Sequence, residues 1–205
     1  MLDNETVNQD LSTKEKIIEE ALKLFSTKGY VGTSMDDLGL NVGIKKASIY
    51  SHYKSKDEIY LEVVKRTMEL NLQFFREAAA EYDPENCRKF FENYFTKYAE
   101  RCYSPVQECN IKMLKRCALY PPPTLKEKIA SLFELYYYEI ESLLAPILID
   151  AMNRGKIRKI SLSYILDIFS FILDGIFTEA HFTNKWKYFT RTEQAINVFL
   201  NYVEE

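Results

Sequence analysis

Apolar residues recur every three or four positions along most of the chain, which is the spacing of one face of an α-helix. Ile17, Ala21 and Leu24 show this spacing near the start, and Ile129 and Phe133 open the longest such run. No segment has the alternation of apolar and polar residues that would make a convincing strand. The pattern predicts an all-α protein.

Capping residues predict where the helices begin. A Ser, Thr or Asp followed three residues later by Glu, Gln or Asp can satisfy the free N–H groups of a helix start. The pairs with this spacing are Ser12 with Glu15, Ser34 with Asp37, Ser55 with Glu58, Ser104 with Gln107, Thr124 with Glu127 and Thr190 with Glu193. Asp83 before Pro84 and Ser161 add two further caps, and Pro146 should kink the helix that contains it. With a short helix near residues 45–53, they predict nine helices.

The predicted helices divide the chain into three parts. Residues 1–11 form a disordered tail, residues 12–55 a small helix-turn-helix unit, and residues 56–205 a larger helical domain. The start of the connecting helix, to about residue 60, is counted with the small unit. The length of 205 residues suits one compact body with a small appendage, and only six Gly and six Pro disfavour a turn-rich β fold.

The overall charge limits the possible partners. The 27 basic and 30 acidic residues give a formal net charge of -3, so any contact with nucleic acid should be local. The N-terminus does not resemble a signal peptide, and Asp167 and Asp174 interrupt the most apolar stretch, residues 160–182. We expect a soluble cytoplasmic protein without membrane contacts.

Cysteine and histidine spacing gives no sign of a metal or catalytic centre. The four cysteines, Cys87, Cys102, Cys109 and Cys117, have no CxxC pair, so reduced core thiols are expected, without metal or cofactor. A redox switch through Cys102 and Cys109 is the alternative. There is no glycine-rich phosphate loop and no histidine suited to assist a nucleophile, so an enzyme is not expected.

One segment concentrates positive charge. Residues 41–56 contain four lysines and no acidic residue. A solvated charged face would explain the charge alone. However, Gly43 can form a tight turn between a short helix carrying Leu38 and a second one anchored by Ile49. Two short helices joined in this way form a helix-turn-helix, whose second helix can enter the major groove of DNA.

Two segments in this region, IEEALKLFSTKGYVGTS (residues 18–34) and VGIKKASIYSHYKSKDE (residues 42–58), are similar to a known family. They resemble the DNA-binding domain of the TetR family of bacterial transcriptional regulators, and the resemblance covers about residues 12–60. It implies a homodimeric, all-helical repressor. In such a repressor the C-terminal domain binds a small-molecule inducer and so releases double-stranded operator DNA.

The resemblance also implies roles for individual residues. Carried over by position, Thr33 and Tyr50 would contact phosphate, Lys46 and Ser48 would lie near base edges, and Lys56 would clamp the backbone. The full set expected to contact DNA is Thr33, Lys45, Lys46, Ser48, Tyr50, Tyr53 and Lys56. Three positions depart from the family pattern, with Gly39 for alanine, Lys45 for serine and Ala47 for glycine.

The two C-terminal helices suggest a dimer interface. The helix beginning at Ser161 is apolar nearly all round, and the last helix carries one apolar stripe. A helix that is apolar on all sides is buried on two sides, so these helices could pair with a second copy. Alternatively, both are ordinary core helices of a monomer. The predicted interface residues are Leu166, Phe169, Leu173, Ile196, Phe199, Leu200 and Val203.

Aromatic residues of the larger domain suggest a cavity for a small, largely apolar ligand, because tyrosine combines an apolar ring with a polar tip. The expected lining residues are Tyr94, Tyr98, Met113, Cys117, Tyr137 and Phe171. The alternative function is that of a helical adaptor, which binds another protein and makes no sequence-specific contact with DNA.

Overall fold

The computed structural model describes residues 12–180 and 182–204. This part of the chain is all-α, as predicted, with nine α-helices, three short 3-10 turns and no strand. The helices are α1 Thr13–Lys28, α2 Met35–Val42, α3 Lys46–Tyr50, α4 Lys56–Ala80, α5 Cys87–Tyr103, α6 Glu108–Leu119, α7 Lys126–Asn153, α8 Leu162–Glu179 and α9 Lys185–Glu204. The 3-10 turns are Pro84–Asn86, Pro105–Gln107 and Pro123–Leu125.

The described residues form two compact units. The first unit contains residues 12–68 and 112–132, and the second contains residues 69–111 and 133–204 apart from residue 181. This division differs from the predicted boundary after residue 55, because residues 112–132 pack with the N-terminal helices although they are distant in sequence. The predicted tail, residues 1–11, lies outside the described residues.

Capping boxes fix the starts of two helices in the first unit. The Ser12 hydroxyl accepts the Glu15 N–H at 3.3 Å, and the Glu15 carboxylate accepts the Ser12 N–H at 2.8 Å. Ser34 and Asp37 make the same reciprocal pair at the start of α2, at 3.0 and 2.8 Å. Both predicted caps are confirmed, since this chemistry depends only on residues three positions apart.

Other predicted helix starts are less accurate. Thr190 lies inside α9, which begins five residues earlier because Asn184 accepts the Lys187 N–H at 2.9 Å. Ser161 precedes α8 without a side-chain hydrogen bond to it. The helix that contains Pro146 is continuous over 28 residues.

Replacing Ser34 with alanine should lower the free energy of unfolding by about 1 kcal/mol, which is typical for a lost N-cap. The Ser34 hydroxyl and N–H hold the pKa of Asp37 below its usual value. The stabilisation is therefore present at neutral pH and is lost as the pH falls through the lowered pKa. Chemical denaturation at neutral and acidic pH measures both effects, with the exposed helical Ser131→Ala as control. Equal losses for the two variants would contradict the cap.

Aromatic rings from α5, α8 and α9 form the core of the second unit. The ring of Phe169 on α8 lies 4.4 Å from Phe95 and 6.0 Å from Phe199, measured between centroids. The hydroxyl of Tyr188 on α9 donates to the carbonyl of Ala99 on α5 at 3.1 Å. Thus α8 and α9 each bury one face within their own unit.

Among the described residues, no helix combines the length and apolar character needed to cross a membrane.

Candidate functional site

A glycine turn joins α2 to α3 in the first unit. Gly43 ends α2 in the left-handed conformation, with φ 77°, and the Ile44 N–H donates to the carbonyl of Gly39 at 2.9 Å. A Cβ atom at position 39 would lie 2.8 Å from the carbonyl oxygen of Ile44. The glycine at this position therefore allows the turn to pack directly against α2. The two helices and their turn form the predicted helix-turn-helix.

The short helix α3 presents polar side chains to solvent around one buried anchor. Ile49 is fully buried, whereas Lys45 and Ser48 are exposed and Tyr50 is 48% exposed. This arrangement places an ammonium and two hydroxyl groups where a phosphate or a base edge could meet them. These three predicted DNA contacts are thus sterically available.

Lys46 on the same helix is exposed but carries an ion pair. Its Nζ lies 2.7 Å from Oδ2 of Asp36, in the first turn of α2. The hydrogen bond and the charge of Asp36 raise the pKa of Lys46, and the neighbouring Tyr50 adds a smaller effect. Lys46 is therefore charged at neutral pH, and Asp36 accepts one of the three N–H donors of its ammonium.

Two of the predicted phosphate contacts, Thr33 and Tyr53, have buried side chains in this structure. Thr33 has no exposed surface, and its hydroxyl donates to the carbonyl of Gly29 at 2.9 Å. Tyr53 is also buried, and the Lys14 ammonium lies 5.4 Å from its ring centroid. Burial raises the pKa of Tyr53 to about 12. The family resemblance located these positions correctly on the helix-turn-helix, but it carried no information on side-chain exposure.

Lys56 binds the protein's own backbone in this structure. Its ammonium donates to the carbonyls of Tyr30 and Thr33 at 2.8 and 2.9 Å, and lies 4.1 Å from the centroid of the Tyr30 ring. The Tyr30 hydroxyl in turn donates to Asp57. Burial, with this hydrogen bond, raises the pKa of Tyr30 to about 12. Lys56 thus holds the turn that precedes α2, and its contact with the DNA backbone stays a prediction.

Two charged residues near this site were not identified from the sequence. Asp36 lies five residues before the lysine-rich segment begins, so a count of charges within residues 41–56 excludes it. Arg116 on α6 donates through Nε to the carbonyl of Ser26 and through Nη2 to that of Thr27, both at 2.7 Å. No local pattern could reveal this contact, because its partners are about 90 residues apart.

The comparison with known proteins agrees with this geometry. The family model described as "Bacterial regulatory proteins, tetR family" matches residues 17–63, which include all of α2 and α3. Over these residues, the chain is similar to the TetR family.

Curated transcriptional regulators are similar to this chain over stretches of 52–61 residues. The "Biofilm operon icaADBC HTH-type negative transcriptional regulator IcaR" of Staphylococcus epidermidis is 49% identical over 61 residues, which are 30% of this chain and 33% of that protein. IcaR of Staphylococcus aureus strain Newman is 56% identical over 52 residues, 25% of this chain and 28% of that protein. The chain spans about a third of the length of these curated relatives.

Solved TetR-family structures share the fold of most of the chain. The regulator PfmR from Thermus thermophilus is 23% identical, with a TM-score of 0.65 over 92% of this chain and 99% of that one. FadR from Bacillus subtilis, solved with stearoyl-CoA, is 15% identical, with a TM-score of 0.70 over 92% and 98%. These similarities show the architecture of an N-terminal helix-turn-helix followed by a helical domain.

The six predicted ligand-lining residues do not form one site. Tyr94 and Tyr98 lie in the aromatic core of the second unit, whereas Met113 and Cys117 are buried in the first. The Tyr94 hydroxyl is buried without a hydrogen-bond partner among the described residues, and burial raises the pKa of Tyr94 well above its usual value. The remaining two, Tyr137 and Phe171, share an open groove between α7 and α8. The other residues of this groove are Glu134, Tyr138, Glu141, Asp167, Ser170 and Asp174.

The predicted dimer interface needs correction. Six of its seven residues are buried in the second unit, and Leu166 is half-buried. The six buried residues are Phe169, Leu173, Ile196, Phe199, Leu200 and Val203. Their side chains pack within one chain and are not available to a second copy. The apolar residues that α8 and α9 expose are others, including Tyr164, Phe171 and Val198.

The cysteines have the properties of core thiols. Cys87, Cys102 and Cys117 are buried, and Cys109 is half-buried. Burial raises the pKa of Cys87 to about 11 and that of Cys117 to about 12, which disfavours the reactive thiolate. In the described part of the chain, no group of three or more His, Cys, Asp or Glu side chains is arranged to hold a metal ion.

Proposed function

We propose that this chain is a homodimeric transcriptional repressor, which a small, largely apolar molecule releases from operator DNA. The observation that carries the proposal is the exposed face of α3. Lys45, Lys46 and Ser48 surround the buried anchor Ile49, within the segment that the TetR family model matches. Exposed lysines and hydroxyls on the second helix of a helix-turn-helix have the chemistry to read a major groove.

An exposed apolar surface on α8 and α9 is the evidence for the homodimer in this proposal. Phe171 is 77% exposed and lies in a shallow groove with Ile168, Ile172 and Ala195. Gly175 lines the same groove, and a Cβ atom there would meet nothing within 4 Å, so a second helix has room to approach closely. Two copies related by a two-fold axis would present two reading helices to a palindromic site.

The aromatic core of the second unit is the evidence for the ligand in this proposal. A buried hydroxyl without a partner costs free energy, and the Tyr94 hydroxyl is such a group. The Tyr94 ring lies among the rings of Phe75, Phe90 and Phe169, with their centroids 5.3–5.8 Å from that of Tyr94. A largely apolar molecule with one hydrogen-bonding group would have to move these rings apart, and it would then satisfy the hydroxyl. The fold neighbour FadR was solved with stearoyl-CoA, which carries a long apolar acyl chain.

Fluorescence anisotropy tests the DNA-binding part of the proposal. The full chain selects a duplex from a random-sequence pool, and its affinity for this duplex is compared with that for a scrambled version at two salt concentrations. We expect selective binding that weakens steeply with salt, because neutralised phosphates release counterions. Binding that is absent even at low salt would favour the helical adaptor instead. The selected complex then provides an assay in which inducers are recognised by loss of anisotropy.

Replacing Lys46 with alanine should weaken binding to the selected duplex about tenfold, as expected for loss of one base-edge contact. Lys23→Ala is the matched control, because Lys23 is an exposed lysine of α1 that also pairs with a carboxylate, at 2.6 Å from Glu20. The control should leave the affinity nearly unchanged. If the two variants bind equally well, α3 is not the helix that contacts base edges in the major groove.

A further inference from the structure

Asp36 is an exposed carboxylate that contributes to α2 only through the favourable charge of a first-turn acidic residue. It lies in the first turn of α2, where Ser34 and Asp37 already form the complete capping box. The side chain of Asp36 is 70% exposed, and its hydrogen bond in the described structure is to Lys46, at 2.7 Å. The contact joins the two helices of the helix-turn-helix, since Asp36 belongs to α2 and Lys46 opens α3.

The ion pair changes what Lys46 can do on DNA. A free lysine near a phosphate displaces counterions on any sequence, so it strengthens binding without selectivity. Lys46 is already neutralised by Asp36, and the carboxylate that stays beside it repels an approaching phosphate. A neutral acceptor on a base edge, such as O6 or N7 of guanine, meets no such repulsion and can accept one of the remaining N–H donors of the ammonium.

The neighbouring lysines provide a contrast within the same segment. Lys45 and Lys54 are exposed and form no ion pair with any described residue. They remain available to phosphates of any sequence. The segment therefore contains two lysines for general attraction, whereas Lys56 is held by backbone carbonyls and Lys46 is restrained by an ion pair.

We infer that Asp36 is a specificity-determining residue, which withholds Lys46 from phosphates and yields it to a matching base edge. The inference rests on the proposed function as a DNA-binding protein. Exposed ion pairs contribute less than about 1 kcal/mol, so Lys46 can adjust its position when it meets the correct base edge. The Asp36 carboxylate repels phosphates on any sequence, and only a base-edge contact by Lys46 offsets that repulsion.

The Asp36→Asn variant tests the inference. It keeps the size of the side chain and removes the charge, and thermal unfolding checks that the fold is retained. Affinity is measured by anisotropy on the duplex that the wild type selects and on its scrambled version, over a series of salt concentrations. Glu20→Gln is the control, because it removes one partly exposed, lysine-paired charge from the same unit.

We expect Asp36→Asn to tighten binding to scrambled DNA about threefold, as for release of an exposed ion pair. The slope of log affinity against log salt concentration should become steeper by about 0.9 for each Lys46 side chain that becomes free to contact a phosphate. Binding to the selected duplex should change less, so the ratio of the two affinities falls. In the Lys46→Ala background, Asp36→Asn should lose most of its effect, because the two residues act as a pair.

Two outcomes would overturn the inference alone. Asp36→Asn could behave like Glu20→Gln, which would show a general effect of charge, or it could tighten both duplexes equally, which would show no role in selectivity. In either case selective binding by the wild type would still support the proposed function. Failure of the wild type to bind DNA at low salt would reject the proposed function and this inference with it.

Discussion

Replacing Phe169 with alanine should lower the free energy of unfolding by about 3–5 kcal/mol, the usual cost of deleting a large core side chain. Phe169 is 1% exposed, and its ring contacts those of Tyr94 and Phe95 from α5 and Phe199 from α9. Truncation would leave a cavity among stiff rings that cannot easily collapse to fill it. Urea denaturation followed by circular dichroism measures the loss.

Phe171 on the same helix provides the control. It lies only two residues further along α8, yet it is 77% exposed. At protein concentrations low enough to keep the chain monomeric, Phe171→Ala should change the free energy of unfolding by less than about 0.5 kcal/mol. In sedimentation at higher concentration, the same variant should shift the proposed dimer towards monomer. Similar losses of monomer stability for the two variants would mean that α8 buries a different face.

These two phenylalanines show where sequence reasoning reaches its limit. The apolar residues of α8 surround the helix, so their spacing predicts a helix but does not identify the buried face. That choice depends on the rings of α5, which lie about 70 residues earlier in the chain. By contrast, Ser12 and Ser34 cap their helices through residues only three positions away, and the sequence predicted both caps correctly.

The same distinction applies to the helix-turn-helix. Its position, its glycine turn and the exposed residues of α3 were predictable, because they depend on a continuous segment. The burial of Thr33 and the binding of Lys56 to backbone carbonyls depend on how the turn after α1 folds back. Arg116 reaches this region from another part of the chain. A residue's type and place in a motif therefore did not determine whether it faces solvent.

Replacing Arg116 with methionine should lower the free energy of unfolding of the first unit by about 2 kcal/mol, since it removes two charge-assisted hydrogen bonds that are partly open to solvent. The guanidinium donates to the carbonyls of Ser26 and Thr27, which belong to the last turn of α1. A cation at this end of a helix also interacts favourably with the helix dipole. Methionine keeps most of the apolar stem, so the measured loss reports mainly the guanidinium.

Arg191→Met is the matched control for Arg116. Arg191 forms an exposed ion pair with Glu179 at 2.9 Å, and such pairs contribute less than about 1 kcal/mol.

Both Arg116 and Lys56 donate to backbone carbonyls, on either side of Gly29. Loss of Arg116 should therefore also weaken DNA binding by loosening the turn that leads into α2. Because Arg116 would not contact phosphate, the salt dependence of binding should keep its slope. A shallower slope would instead identify Arg116 as a DNA contact.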